Sequence, residues 1–381
     1  MSLKAFKYLL NNKIISSSLA YLGIIGYVLS KYWKATNITF RNQITKTGIV
    51  PVPRTVYLET TLRCNLNCIH CHQKGRREQN TPEMTTEQLC IVLNKIHNAN
   101  IKNVEISGGE MFLRKDIFTI LEYAITCGLS IKITSNGTLI TNEIVNKLQN
   151  LKINGYATSI DGSPYTHNKI RGKETAYYST IYSLDSLQNV KYGRAVCFVL
   201  MEQNIDCIEF VFAKAKELGI NRLIFSIEMF VCEEDKLKSE NKIGATVFIN
   251  TKPKSIDYAN KMIFAINTIK LLRKKYGVFA SIYPFLAEKN PETFLNNKLT
   301  PPLYCTGFEI LNIMANGEVW ACQFIRKSIG NILTQSVDEI WNSEAAREMR
   351  KKILDCDTML PICSSCCRVN QCAPTTKVVD F

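Results

Sequence analysis

The chain has 381 residues, 46% of them hydrophobic, and a formal net charge of +14. It can hold one large domain plus a smaller one, with ample material for a buried core. The charge is uneven: residues 1–54 carry eight Lys and Arg and no Asp or Glu, which leaves +6 for the other 327. The basic excess belongs largely to the amino-terminal segment, and this excludes a nucleic-acid groove across the body of the protein. Fifteen cysteines are present. Disulfides are possible in principle, but the clusters stand at metal-ligand spacing and point to a reducing cytoplasm.

Ile14 to Ser30 is a run of seventeen uncharged residues between Lys13 and Lys31. As a helix it would be about 25 Å long, slightly short for a bilayer core. Two readings fit. One is a membrane anchor or interfacial helix whose basic flanks face anionic lipid. The other is an apolar helix packed on the body of the protein. Thr36 to Pro53 reads as a linker. Thr55 to Leu62 then alternates as a strand should.

Directly after that strand come Cys64, Cys68 and Cys71, at spacing C-x3-C-x2-C. They fall on the loop leaving the strand's carboxyl end, where α/β sheets and barrels carry their chemistry. Three close thiolates suit a four-iron cluster with one iron left open for a ligand. A zinc site with His70 or His72 as fourth ligand is the alternative on residue type alone.

This motif resembles that of the radical S-adenosylmethionine (SAM) superfamily. The resemblance implies a [4Fe-4S] cluster held by the three cysteines, with SAM chelating the open iron. One electron then splits SAM to a 5′-deoxyadenosyl radical that abstracts hydrogen from a substrate. It also implies a reducing partner of the flavodoxin or ferredoxin type. An oxygen-sensitive cluster and SAM both belong in the cytoplasm, so a cleaved signal peptide is rejected for residues 14–30. The expected location is cytoplasmic, with attachment to the inner membrane face as an option.

From residue 55 to about 283, strands and helices alternate. Thr85 with Gln88 predicts a capping box ahead of Leu89, Val92, Leu93 and Ile96. Val104 to Ile106 reads as a short strand. Asp116 is expected to cap a helix that Gly128 ends. Ser130 to Thr134, Tyr156 to Ile160, Ala195 to Leu200 and Arg222 to Ser226 read as strands. Thr141 starts a helix, and Asp206 with Glu209 predicts a second capping box. Repeated strand–helix units give a parallel sheet with right-handed crossovers. The fold class is therefore α/β, a closed or partial barrel. The resemblance selects the partial (β/α)6 form of the TIM type. Residues 228–254 break the rhythm and read as a polar insertion near the barrel mouth. A long helix follows, with Met262, Ile266 and Ile269 on one face.

Ser107, Gly108, Gly109 and Glu110 end the second strand. Two glycines allow backbone to approach a ligand closely, and the Glu110 carboxylate can pair with an ammonium group. In the resembled family this stretch holds the methionine amino group of SAM. Ser135 and Asn136 match the family's ribose-contacting region. Ser159 to Gly162, with His167 to Gly172, resembles the "S-L-D-G … H-D-x-x-R" signature of peptide-modifying members. That resemblance gives Ser159 a hydrogen bond to SAM and Arg171 a two-point pairing with its carboxylate. His70 stands where the family usually places an aromatic near the adenine.

The carboxyl-terminal region holds Cys305, Gly317 and Cys322, then Cys363, Cys366 and Cys372. This resembles the SPASM domain and its shorter Twitch relatives. One auxiliary [4Fe-4S] cluster is expected on Cys305, Cys322, Cys363 and Cys366. Cys372, Cys367 or Cys356 could replace a ligand or support an incomplete second cluster. Thr376 occupies the position of a further family cysteine, so a full two-cluster set is not expected. Structural zinc is the alternative on these thiols. Gln323 stands where sulfatase-maturing members carry an aspartate base. A neutral amide takes up no proton, which disfavours formylglycine formation.

The expected organisation is a basic, apolar segment (1–50), a radical SAM core (51–300) and a cysteine-rich domain (301–381). The expected function is hydrogen abstraction from a peptide or protein side chain. The fifty residues ahead of the first strand are expected to be too few and too apolar for a leader-binding domain. That keeps open a lipid, lipid-linked sugar or other small molecule at the membrane, and, as a non-enzymatic alternative, a zinc-stabilised binding protein. Cys197, Cys207 and Cys232 are candidate hydrogen or proton donors by residue type only.

Overall fold

The computed structural model describes residues 38–77, 81–190, 193–220, 222–299, 302–354 and 359–371. The apolar run 14–30, Cys356, Cys372 and Thr376 lie outside these residues. Among the described residues no helix is long and apolar enough to cross a membrane.

Six strands carry the core: β1 (Thr55–Thr61), β2 (Asn103–Gly108), β3 (Ser130–Thr134), β4 (Gly155–Ser159), β5 (Arg194–Leu200) and β6 (Arg222–Ile227). They pair in sequence order, all parallel, and Phe279–Tyr283 adds a further parallel strand beside β6. Helices connect them, as the strand–helix rhythm requires. The end strands of the sheet do not pair with each other, so the barrel is partial.

At the β1 edge the sheet continues into the carboxyl-terminal region. Ile310–Ile313 pairs parallel with β1. Glu318–Cys322 and Ile325–Asn331 then follow antiparallel. One eleven-stranded sheet thus spans both cysteine-rich regions.

The burial pattern shows where the open space lies. A parallel sheet covered on both faces reads as continuous apolar runs. Here the strands alternate. Val104 and Ile106, Ile131 and Ile133, and Leu223 and Phe225 are buried under the helices. Their neighbours Glu105 and Ser107, Ala157 and Ser159, Cys197 and Val199, and Ile224 and Ser226 stay half-buried on the inner face. Tyr57, Glu105 and Lys132 lie side by side in register across this face. Thr134 Oγ1 donates to Glu105 Oε1 at 3.2 Å.

Local signals held at several ends. Thr85 and Gln88 form the reciprocal capping box, and Thr141 caps its helix through Ile144 N. Other expectations need correction. Asp116 precedes helix Ile117–Thr126 but does not cap it. Its carboxylate is taken by Arg114 at 2.6 Å and Thr86 at 2.6 Å. No Asp206–Glu209 box forms: a tight turn, Glu202–Cys207, precedes helix Ile208–Glu217. Glu209 instead pairs with Lys275 at 2.5 Å. Asp116 is thus held by the neighbouring Arg114 and by the distant Thr86 hydroxyl, and Glu209 by a distant lysine, in place of a local amide.

The expected linker contains helix Ile38–Thr47. It packs on helix Glu344–Ile353 with Ile44 fully buried. The two approach so closely that a Cβ on Gly48 would lie 2.4 Å from the Arg347 carbonyl oxygen. Gly48 also holds φ +69°, a region costly for other residues. The insertion is ordered too. Glu233, Glu234 and Asp235 stand in the first turn of helix Glu233–Ile243, where the helix dipole favours them. Thr246–Val247 pairs with the strand Ile325–Asn331, and Ser239 Oγ accepts from Ile362 N at 3.2 Å. The insertion therefore joins the core to the carboxyl-terminal region.

Arg350 anchors the amino-terminal helix from below. It is 2% exposed. It donates to Gly48 O and Asn342 Oδ1 at 3.0 Å and to Trp341 O at 2.6 Å. Its guanidinium sits 4.4 Å from the Trp341 ring centroid. Replacing Arg350 with Ala strands these acceptors and opens the packing. Denaturant unfolding is expected to show a loss of about 3 kcal/mol.

Candidate active site at the carboxyl ends of the strands

The three thiols of the loop after β1 each receive one nitrogen donor. Asn136 Nδ2 lies 3.9 Å from Cys64 Sγ. Arg171 Nη1 lies 3.8 Å from Cys68 Sγ. Arg77 Nη2 lies 2.9 Å from Cys71 Sγ. Arg77 also donates to Leu66 O at 3.1 Å, which closes the loop on itself. Asn136 donates further to Asn65 Oδ1 at 2.9 Å.

The loop is fixed from beneath by a buried ion pair. Arg76, on the short helix Lys74–Arg77, forks onto Glu59 of β1 at 2.8 and 2.7 Å. Glu59 is fully buried. It also accepts from Gln73 at 3.3 Å and from Ala315 N at 3.2 Å. Arg76 stacks 4.7 Å from the Trp320 ring. His72 meets Phe324 edge-on at 5.0 Å, and burial pushes its imidazole down to about 4.

The glycines of the second strand end serve a close backbone approach. Gly109 N donates to Thr61 O at 2.8 Å and Glu110 N to Arg63 O at 2.7 Å. A Cβ at Gly108 would lie 2.4 Å from Thr61 O, and one at Gly109 2.0 Å from Arg63 O. The two strand-end loops are thus zipped together. Glu110 is fully buried. Its carboxylate accepts from Ser135 Oγ at 3.0 Å, Asn136 N at 2.8 Å and Phe112 N at 3.2 Å. Burial outweighs these bonds and raises its pKa to about 6.

Ser159 is half-buried at the end of β4, on the inner face. Two residues on, Asp161 is fully buried and serves as a hub. Arg171 Nε and Nη2 both donate to its Oδ2 at 2.6 Å. Val199 N donates to its Oδ1 at 3.0 Å. Although burial opposes ionisation, the Arg171 guanidinium and the His70 ring hold Asp161 well below the usual carboxylate range. The buried His70 Nε2 has no hydrogen-bond partner and lies 3.9 Å from Asp161 Oδ2. His167 Nδ1 accepts from Asp161 N at 3.1 Å, and burial lowers its pKa to about 4. Helix Pro164–Arg171 docks on the cysteine loop through Ile69 N to Ile170 O at 3.0 Å.

In the carboxyl-terminal region Cys305, Cys322, Cys363 and Cys366 all line one cavity, whose other walls include Phe308, Ile353, Ile362 and Val369. Gln323 and Arg368 line it too, whereas Cys367 does not. Burial pushes the Cys305 thiol up to about 12 and the Cys363 thiol well above its ordinary value. Neutral thiols suit such a pocket; thiolates there need a bound cation.

A family model described as the radical SAM superfamily matches residues 58–231, from β1 through β6 and the whole network around the three thiols. The chain belongs to the radical SAM superfamily. A second model, described as the SPASM iron-sulfur cluster-binding domain, matches residues 305–367. Among curated relatives, an AdoMet-dependent heme synthase of Methanosarcina barkeri is 27% identical over 308 residues, 78% of this chain and 85% of that protein. The sporulation killing factor maturation protein SkfB of Bacillus subtilis is 23% identical over 80% of this chain and 68% of its own. Among solved structures, Streptococcus suis SuiB bound to precursor peptide SuiA superposes with TM-score 0.60 at 15% identity, covering 80% of this chain and 67% of that one. That likeness shows the fold.

This radical SAM enzyme therefore uses a [4Fe-4S] cluster and SAM, with auxiliary iron–sulfur chemistry in the SPASM domain. The donor set fits both. Three thiols with nitrogen donors, two of them cationic, and an orphaned His70 nitrogen stand at one site, and four thiols share one apolar cavity at the other. Among the described residues no three His, Cys, Asp or Glu side chains are grouped closely enough for a single metal ion.

Of the site residues expected from sequence, the structure brings His70, Gly108, Gly109, Glu110, Ser135, Asn136, Ser159 and Arg171 to the carboxyl ends of β1–β4, beside Cys64, Cys68 and Cys71. The sequence did not single out Asp161, Arg77, Glu59 or Arg76. Asp161 had a signal, the S-I-D-G stretch. The Arg-Arg pair at 76–77 had none beyond charge.

His167 generates a pH prediction. Its folded pKa, about 4, lies below the unfolded 6.5. Its contribution is complete above pH 6.5 and is lost as pH falls toward 4, because the unfolded chain takes up the proton first. Roughly 3 kcal/mol of stability is expected to depend on it across that window. Unfolding of a His167→Gln variant as a function of pH should lack this part of the acid slope.

Proposed function

We propose that the enzyme abstracts hydrogen from a peptide or protein side chain held on the inner face of β2–β6. The observation that carries this reading is that face itself. It is partly exposed, with the polar Glu105, Lys132, Ser159 and Cys197 along it, and the loop of Cys64, Cys68 and Cys71 leaves the adjacent strand β1. The similarity to SkfB, a maturation protein, and to SuiB, bound to its precursor peptide, supports a peptide substrate.

When bound at Cys64, Cys68 and Cys71, the cluster and SAM supply the electron and the hydrogen-abstracting radical. The chain supplies the rest. Asn136, Arg171 and Arg77 hold the thiols. The zipped loops at Gly108 and Gly109 present backbone to the methionine end of SAM. Glu110 fixes the third strand end through Ser135 and Asn136 rather than reaching out itself. Asp161 takes the Nε hydrogen and one Nη2 hydrogen of Arg171, which leaves Nη1 and the second Nη2 hydrogen for a SAM carboxylate. Cys305, Cys322, Cys363 and Cys366 hold one auxiliary cluster, with Gln323 as a neutral neighbour that takes up no proton. Ser159 and His70 stay assigned to SAM. The net charge of +14 suits an acidic electron-donor protein of the flavodoxin or ferredoxin type.

A second reading, a carboxylate-bearing small molecule, is favoured by the heme synthase, of which the match covers 85% against 68% of SkfB. Contact with the membrane through residues 14–30 belongs with it, on the acid-free composition of the amino-terminal segment. Membrane partition of the full chain against one lacking residues 1–37 tests that contact.

Anaerobic reconstitution separates the parts. Cys64→Ala is expected to abolish 5′-deoxyadenosine formation. Cys305→Ala is expected to retain it while losing the modified product. Mass spectrometry of candidate peptides and of porphyrin substrates after turnover decides between the readings. Hydrogen loss from the porphyrin alone would overturn the peptide proposal.

A further inference from the structure

The three nitrogen donors on the cluster cysteines differ in charge. Asn136 is neutral. Arg171 and Arg77 are cations, and their surroundings are unlike. Resting on the reading of Cys64, Cys68 and Cys71 as cluster ligands, we propose that Arg77 and Arg171 set the electron affinity of that cluster with unequal weight. Arg77 acts on Cys71 as a full cation, whereas Asp161 cancels much of the charge that Arg171 brings to Cys68.

The geometry makes the contrast. Arg171 gives two of its nitrogens to Asp161 Oδ2 at 2.6 Å each and leaves Nη1 3.8 Å from Cys68 Sγ. Asp161 is fully buried, so solvent screens the pair weakly. Arg77 touches Cys71 Sγ at 2.9 Å. Its other contact, Leu66 O at 3.1 Å, is a neutral carbonyl, and its buried Nε has no partner. Among the described residues no carboxylate pairs with it. The adjacent Arg76, by comparison, is neutralised by Glu59. Arg63 pairs with Glu83, so of the guanidiniums at Arg63, Arg76, Arg77 and Arg171 only that of Arg77 has no carboxylate partner among the described residues.

Hydrogen bonds and positive charge at cluster sulfurs stabilise the reduced state and raise the potential. The two positions then predict opposite signs. Removing the Arg77 charge lowers the potential. Removing the Asp161 charge frees Arg171 and raises it. A merely structural role for either residue would not separate the signs.

The experiment uses the full chain, reconstituted anaerobically. The reduction midpoint is followed by electron paramagnetic resonance, on the signal that changes when SAM is added. Arg77→Gln is expected to shift the midpoint to more negative potential, Arg77→Lys to leave it near wild type, and Asp161→Asn to shift it to more positive potential. Shifts of the same sign in Arg77→Gln and Asp161→Asn, or none in loaded protein, would overturn the proposal. Should Arg77→Gln take up no iron, a potential that fails to rise in Asp161→Asn overturns it alone. Wild-type protein with no SAM-responsive signal would instead sink the cluster reading.

Discussion

The buried pair of Glu59 and Arg76 is the contact on which the rest of the site depends. Glu59 sits on β1, the strand that leads into the three thiols. Arg76 sits on the turn of helix that leaves them. Their two-point bond therefore closes the cysteine loop at its base. The same carboxylate accepts from Ala315 N, and the same guanidinium lies on Trp320, so the clasp also grips the carboxyl-terminal hairpin. A buried pair of this kind contributes little net stability against an apolar substitute, but it tolerates few alternative geometries. Its value here is registry: it ties three segments far apart in the chain to one arrangement.

Charge is distributed around the thiols with similar economy. Glu59 neutralises Arg76 and Asp161 neutralises Arg171, whereas the half-buried Arg77 has no carboxylate among the described residues. Histidines 72 and 167 are held neutral by burial. The site can thus be dense in ionisable groups while its net field on the cluster comes from few of them. Glu110, which looks from its motif like a ligand contact, spends its carboxylate on Ser135, Asn136 and Phe112.

The two cysteine centres share one continuous sheet. Because Ile310–Ile313 pairs directly with β1, the carboxyl-terminal region is not a loosely tethered appendage. The insertion strengthens the joint from the other side, through Thr246–Val247 and Ser239. A heme synthase and the maturation protein SkfB are both similar to this chain over more than three quarters of its length.

Much of this was legible before any coordinates. The thiol spacing, the strand ends that bear each motif and the capping box at Thr85 are local features, decided by residues a few positions apart. They survive because backbone geometry and short-range hydrogen bonds fix them. What the sequence could not decide was which charged groups would meet. Glu209 was taken from its expected cap by a lysine that packing brought near, and Asp116 by the distant Thr86 hydroxyl together with the neighbouring Arg114. Helix Ile38–Thr47 formed because helix Glu344–Ile353, some three hundred residues on, offered it an apolar face. Arg77 on Cys71, Asp161 on Arg171 and Glu59 on Arg76 depend on the register of strands and the docking of helices. Only the folded chain sets those distances, and a bond between side chains exists or fails over less than an ångström.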